Sequence, residues 1–248
     1  MAEVDRIERL RVGIGATVRS FVREPIQLIV LLVLPLIVIE GYGYAMTVFP
    51  EFPFMETSAE TMGRLNGAIY AVSFLAGVTG LFQVISAVQA DERLRLCGYS
   101  RAELFISRLA TVAAASLIVA AISLAVLLRT VTVDSPAIAF VSLTAAALVY
   151  GLIGMLVGAG LSRALEGSLV LVFLVDADDF LSSGMIDVDS WLIELFPLYH
   201  PHEAFQSAVD GTAATGSAMA TGGYLLVLLA VVTAVYVRLT AVGGGFRG

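Results

Sequence analysis

Residues 91–129 read DERLRLCGYSRAELFISRLATVAAASLIVAAISLAVLLR, and the reading of this stretch decides the fold. Seven of its first eighteen residues are charged, and none of the next twenty is. Twenty apolar residues wound at ~1.5 Å per residue cross the ~30 Å hydrocarbon core of a bilayer. A charged connection therefore feeds a membrane span at 109–129. Working outward, five more apolar segments of that kind occur, at 26–48, 66–90, 138–161, 167–186 and 218–240. The chain is expected to be all-α, a polytopic membrane protein with six transmembrane helices in a single domain over 1–248.

The arginines orient it. Arg6, Arg9, Arg11, Arg19 and Arg23 precede the first span, and Arg93, Arg95, Arg101 and Arg108 lie between the second and third. Arg163 follows the fourth, Arg238 and Arg247 close the chain, and only Arg64 and Arg129 fall on the opposite side. Positive connections stay in the cytoplasm, so both termini are expected there. The hydrophobic content of 58% and charged content of 14% do not fit a soluble domain of this length. Acidic residues among the N-terminal arginines and a long apolar run argue against a cleavable signal peptide. One cysteine, Cys97, permits no intrachain disulfide.

All fourteen cations are arginine. With a net charge of −7 this fits a high-GC or salt-adapted prokaryote and hence a prokaryotic plasma membrane. The missing lysine also excludes chemistry. A GxxxxGK[ST] phosphate loop needs a lysine, and so does a Schiff base. Any ATP that drives this protein is hydrolysed by another polypeptide.

Residues 5–24 (DRIERLRVGIGATVRSFVRE) place Ile7, Leu10, Ile14, Val18 and Phe21 at three- and four-residue intervals, with arginines elsewhere on the wheel. This predicts an amphipathic helix in the membrane interface, or alternatively a solvated cytoplasmic one. The first span carries Pro35, which predicts a kink, and Glu40, which either lines a path or snorkels outward beside Tyr42 and Tyr44. Residues 49–65 read as a solvated outer loop, and Thr130–Ala137 as an outer turn. Gly154 and Gly158 form a GxxxG pair for close helix approach, within the chain or across a dimer.

In the second connection, Gly98 should end one helix and Ser100 cap the next, with Glu103 at its third position. The expected outcome is a cytoplasmic hairpin over 91–108. The plainer alternative is a hairpin whose arginines only obey topology.

The fifth span holds the anomaly. Asp176, Asp178 and Asp179 fall near mid-membrane if the helix starts at Gly167, at a cost of several kcal/mol unless they meet water or partners. They line an aqueous cavity, or sit in an outer vestibule, or join His200 and His202 around a metal; no diagnostic ligand spacing supports the last option. The stretch 187–217 carries Trp191, Phe196, Tyr199 and Phe205 with five acids. Two short outer helices are predicted there, 189–196 and 202–209, split by Pro197 and Pro201, with the histidines marking a turn.

The order of these elements resembles the permease subunit of ABC transporters of the ABC-2, or type V exporter, class. The carriers are the arm running through REP at 23–25, ADERLRLCGYSRAELFISRL at 90–109, and LFPLYHPHEAFQSAV at 195–209. The resemblance implies an elbow helix over 5–24, a coupling segment over 91–108 that docks on a nucleotide-binding ATPase subunit, and short outer helices before the sixth span. It also implies a non-catalytic chain, a homodimer or paired permease, lipid contacts and no nucleic acid. No cofactor would bind to this chain; ATP and Mg belong to the partner. Carried onto this sequence, the coupling residues would be Glu92, Arg93, Arg95, Tyr99, Arg101 and Glu103. Glu40, Asp176, Asp178 and Asp179 would flank the translocation path. The DADD run departs from that family's pattern. The alternatives are an ion-coupled secondary carrier or channel using the fifth-span acids and, behind it, an intramembrane enzyme. No internal repeat supports the carrier.

Overall fold

The computed structural model describes residues 15, 25–48, 58–86, 93, 94, 96, 98–161, 163–183, 191–212 and 215–241. Among them every regular element is helical: α1 (Pro25–Met46), α2 (Ala59–Ile85), α3 (Arg101–Leu127), α4 (Pro136–Gly160), α5 (Ala164–Ser182), a 3-10 turn (Ile193–Leu195), α6 (Tyr199–Val209) and α7 (Thr215–Ala241). Five of them, α1 to α4 and α7, are long and apolar enough to cross a membrane. The chain is a helical multi-pass membrane protein. The sixth apolar segment also folds as a helix, α5, nineteen residues long. Glu166 and the three aspartates give it more charged residues than any of the other five. The arm at 5–24 lies outside the described residues except for Gly15, which is helical.

Helix starts follow local chemistry. Pro25 occupies the first turn of α1 and Pro136 that of α4, where the missing N–H has no intrahelical acceptor in any case. Helix α1 continues through Pro35. Helix α2 begins at Ala59, so residues 59–65, predicted as loop, are its first turns; Ser58 accepts the Thr61 N–H at 3.3 Å and stops the fraying that a loop there requires.

Helix α2 is the centre of the bundle, and its glycines make it so. On one side Gly63 and Gly67 lie against α1, where a Cβ on Gly67 would meet the Ile39 Cα at 3.1 Å. On the other side Gly77 and Gly80 lie against α4. A Cβ on Gly80 would strike the Gly151 carbonyl, one on Gly154 the Gly77 carbonyl, and one on Gly158 the Leu81 carbonyl at 2.8 Å. The GxxxG pair of α4 therefore packs within the chain, backbone against backbone on α2. Around this seam gathers a core that includes Ile69, Val72, Leu143, Tyr150, Val175, Leu198 and Phe205.

The segment that includes α6 is tied down at two points. The Asp134 and Ser135 N–H groups donate to the Val209 and Ala208 carbonyls at 3.2 and 3.0 Å, joining the α3–α4 turn to the end of α6. Gly211 then takes φ +70°, a left-handed conformation that suits glycine, and an added Cβ would stand 2.6 Å from Asp134 Oδ2. Pro201 does not split this region, contrary to expectation. It sits in the first turn of α6, where its missing N–H removes no helical bond, and the His202 N–H makes the first one, to the Leu198 carbonyl at 2.8 Å. Instead of a two-turn helix over 189–196, the described part of that stretch forms one 3-10 turn.

Candidate functional site

Three carboxylates on α5 meet three different environments. Asp176 and Asp179, three residues apart, share a helix face, and Asp178 points elsewhere. Asp178 is 1% exposed and fully engaged. The Tyr150 hydroxyl of α4 donates to its Oδ2 at 2.6 Å, the Ser182 hydroxyl to Oδ1 at 3.0 Å, and the Leu198 N–H to both oxygens at 3.2 Å. Tyr150 also reaches the Leu174 carbonyl at 3.1 Å. Asp178 thus fastens α5 to α4 and to the residue that opens α6. A buried carboxylate is tolerated when donors surround it, and here three converge.

Its neighbours differ. Asp179 is 5% exposed, yet among the described residues its Oδ1 has no hydrogen-bond partner. Asp176 is exposed. Both carboxylates lie within electrostatic reach of Tyr42 on α1 and Tyr70 on α2. The Tyr42 and Tyr70 rings stack with centroids 5.4 Å apart, and Tyr70 stacks on Phe74 at 6.0 Å. All three rings are half-buried.

Glu40 is paired. Arg64 Nη2 lies 3.2 Å from its Oε2 and 2.8 Å from Glu60 Oε1, so one guanidinium bridges the start of α2 to α1. Glu40 is thus held by an arginine, whereas among the described residues Asp176 and Asp179 have no ion-pair partner. The histidines also part company with the acids. His202 is 1% exposed within α6, 3.0 Å from the Gln206 amide, and burial lowers its imidazole from 6.5 to about 4. Among the described residues no three His, Cys, Asp or Glu side chains converge as metal ligands do.

The hairpin between α2 and α3 is built as a stop and a start. Residues 93, 94 and 96 are helical, Gly98 adopts φ +89°, and the Tyr99 N–H bonds back to the Leu94 carbonyl at 3.1 Å, the closing bond of a Schellman end. One residue later Ser100 accepts the Glu103 N–H at 3.3 Å, and Glu103 Oε2 accepts the Ser100 N–H at 2.7 Å. Both bonds of a capping box are present. Glu103 is consequently buried in the turn, while Arg93 is exposed and Tyr99 half-buried. Arg101 opens α3, and Glu92 and Arg95 lie outside the described residues. Arg108, 9% exposed, donates through Nη1 to the Gln83 carbonyl and ties α3 to the C-terminal end of α2.

Tyr42, Tyr70, Phe74 and Tyr150 were not among the residues that the sequence nominated. The i, i+4 spacing of Tyr70 and Phe74 was visible, but their approach to Tyr42 and the acids depends on tertiary packing. Comparison with known protein families and with curated protein sequences finds no match.

Proposed function

We propose that this chain is the membrane-spanning permease subunit of an ATP-driven exporter of the ABC-2 type. In this reading α5 is a sixth span, residues 5–24 form an interfacial elbow helix, and both termini are cytoplasmic in a prokaryotic plasma membrane. Two copies, or this chain and a similar one, enclose the path, and a nucleotide-binding partner supplies ATP hydrolysis. The observation that carries the reading is the hairpin at 93–108. A Schellman end followed at once by a capping box makes a stiff turn between two long apolar helices, on the arginine-rich side. A rigid cytoplasmic turn can transmit a push from a docked ATPase to α2 and α3, and ATP affinity for one state then biases the transporter. Arg93, Tyr99 and Arg101 are the docking residues favoured by position, with Glu92 and Arg95 beside them. Glu103 acts as their cap.

Two experiments test this. A membrane-impermeant maleimide should label Cys97 only from the cytoplasmic side of oriented vesicles; labelling from outside overturns the topology. Arg101→Glu should leave insertion intact and uncouple ATP hydrolysis from export; unchanged export removes the docking assignment. One observation favours a second reading: the unpartnered Asp179 oxygen suits an ion-coupled carrier. Transport in vesicles driven by an ion gradient without ATP would select it.

A further inference from the structure

The corner where α1, α2 and α5 present Tyr42, Tyr70, Phe74, Asp176 and Asp179 has a composition that packing does not require. A core position would satisfy Asp179 as Asp178 is satisfied, with donors on every side. Instead one buried oxygen of Asp179 is left without a donor among the described residues. Nor does a cation neutralise the pair. Arg64, on the same helix as Tyr70, is committed to Glu40 and Glu60, and among the described residues neither Asp176 nor Asp179 has an ion-pair partner. Two carboxylates therefore lie within electrostatic reach of two stacked, half-buried tyrosines, the second of which stacks in turn on Phe74, and Asp176 is exposed.

We propose that Asp176 and Asp179, together with the faces of Tyr42, Tyr70 and Phe74, form a binding site for an amphipathic organic cation. The chemistry selects that class. A carboxylate on one face of α5 balances the charge, and ring faces attract a cation through their quadrupoles while covering its apolar body. A hard metal ion would need several oxygens to replace its hydration shell, which aromatic rings do not offer. A proton alone would satisfy Asp179 but would leave the three-ring ladder without a role. Asp178 and Glu40 take no part, because each is already held by donors of the fold. As a cargo site this assignment rests on the exporter reading; as a binding site it does not.

The test uses the full chain in nanodiscs of zwitterionic lipid, with radiolabelled tetraphenylphosphonium as probe and empty nanodiscs as background. Saturable binding is expected, with little competition from neutral triphenylphosphine oxide. Asp176→Asn and Asp179→Asn should each weaken binding about tenfold, and Tyr70→Leu severalfold, as expected for loss of a charge partner and of a ring face. Asp176→Asn changes an exposed residue, so retention of the wild-type elution profile separates lost binding from lost fold. Tyr150→Phe, which weakens the Asp178 cluster, should bind the probe as wild type does. Absence of saturable binding, equal competition by the neutral compound, or unchanged binding in the Asp176→Asn/Asp179→Asn double variant overturns the site. Cation binding without stimulation of any ATPase partner would keep the site and count against the exporter reading alone.

Discussion

The seam between α2 and α4 and the corner between α1, α2 and α5 share a helix and obey opposite rules. Along the seam, glycines bring backbone onto backbone, no charged side chain intervenes, and 61% of α4 is buried. At the corner, tyrosines and aspartates meet, the rings stay half-open, and one buried carboxylate oxygen goes unmatched among the described residues. In lipid the hydrophobic effect does little to hold helices together, so close van der Waals packing along such a seam supplies cohesion. Cohesion concentrated there leaves the corner free to carry unsatisfied polar groups. Function is expected where the polar groups are left over.

The sharpest break of this contrast is Gly154→Leu. Its side chain would enter the Gly77 carbonyl, and since neither helix backbone can give way, the cost should exceed the ~3 kcal/mol of ordinary overpacking. The expected result is loss of monodisperse protein in detergent. Gly222→Ala on α7 is the control. No atom lies within 4 Å of an added Cβ there, and the change should be neutral or stabilise by up to ~1 kcal/mol.

Second in size comes the comparison of adjacent carboxylates. Asp178→Ala strips the Tyr150 hydroxyl and Leu198 N–H of their shared acceptor and should cost about 3 kcal/mol, read as a lower thermal transition. Asp179→Asn removes a charge that has no donor on Oδ1 and should leave the transition unchanged or raise it. Equal losses from the two variants would erase the distinction drawn between them.

Much of the frame was legible. Length and hydropathy located the apolar segments, Ser-x-x-Glu announced the capping box, and the GxxxG spacing of Gly154 and Gly158 announced a close approach. These are local patterns, or patterns repeated along one helix. What stayed hidden was pairing over distance. Asp178 owes its role to Tyr150, twenty-eight residues away, and Glu40 owes its own to Arg64, twenty-four away. A run of acids looks uniform until the partners of each helix face are known. Pro201 misled for a different reason: proline breaks helix interiors, and the start of α6 at Tyr199 put it in the one turn that accepts it.

A smaller effect should come from His202, buried within α6. Its imidazole is held at about 4 when folded, against 6.5 in an open chain. Between those values the unfolded state binds the extra proton, so stability is present at neutral pH and falls as pH drops below 6.5. The loss should reach about 2 kcal/mol by pH 5. His202→Gln should flatten the slope of thermal stability against pH in this interval; an unaltered slope would show that His202 is not its source.

The smallest effect concerns the hairpin, and it separates a structural carboxylate from a docking one. Ser100→Ala deletes one of the two cap bonds and should cost about 1 kcal/mol, because the Glu103 N–H at the start of α3 must then find water. Glu103→Gln keeps an acceptor at the third helical position, so the return bond to the Ser100 N–H survives and stability should barely move. If Glu103 serves only to cap, Glu103→Gln should also leave the proposed ATPase coupling as it was, whereas Arg101→Glu, two residues earlier, should abolish it. Coupling lost in Glu103→Gln at full stability would move that carboxylate out of the turn and onto the partner's surface. The stiff hairpin would then need another account, since one side chain cannot close its own helix and reach across an interface with the same oxygen.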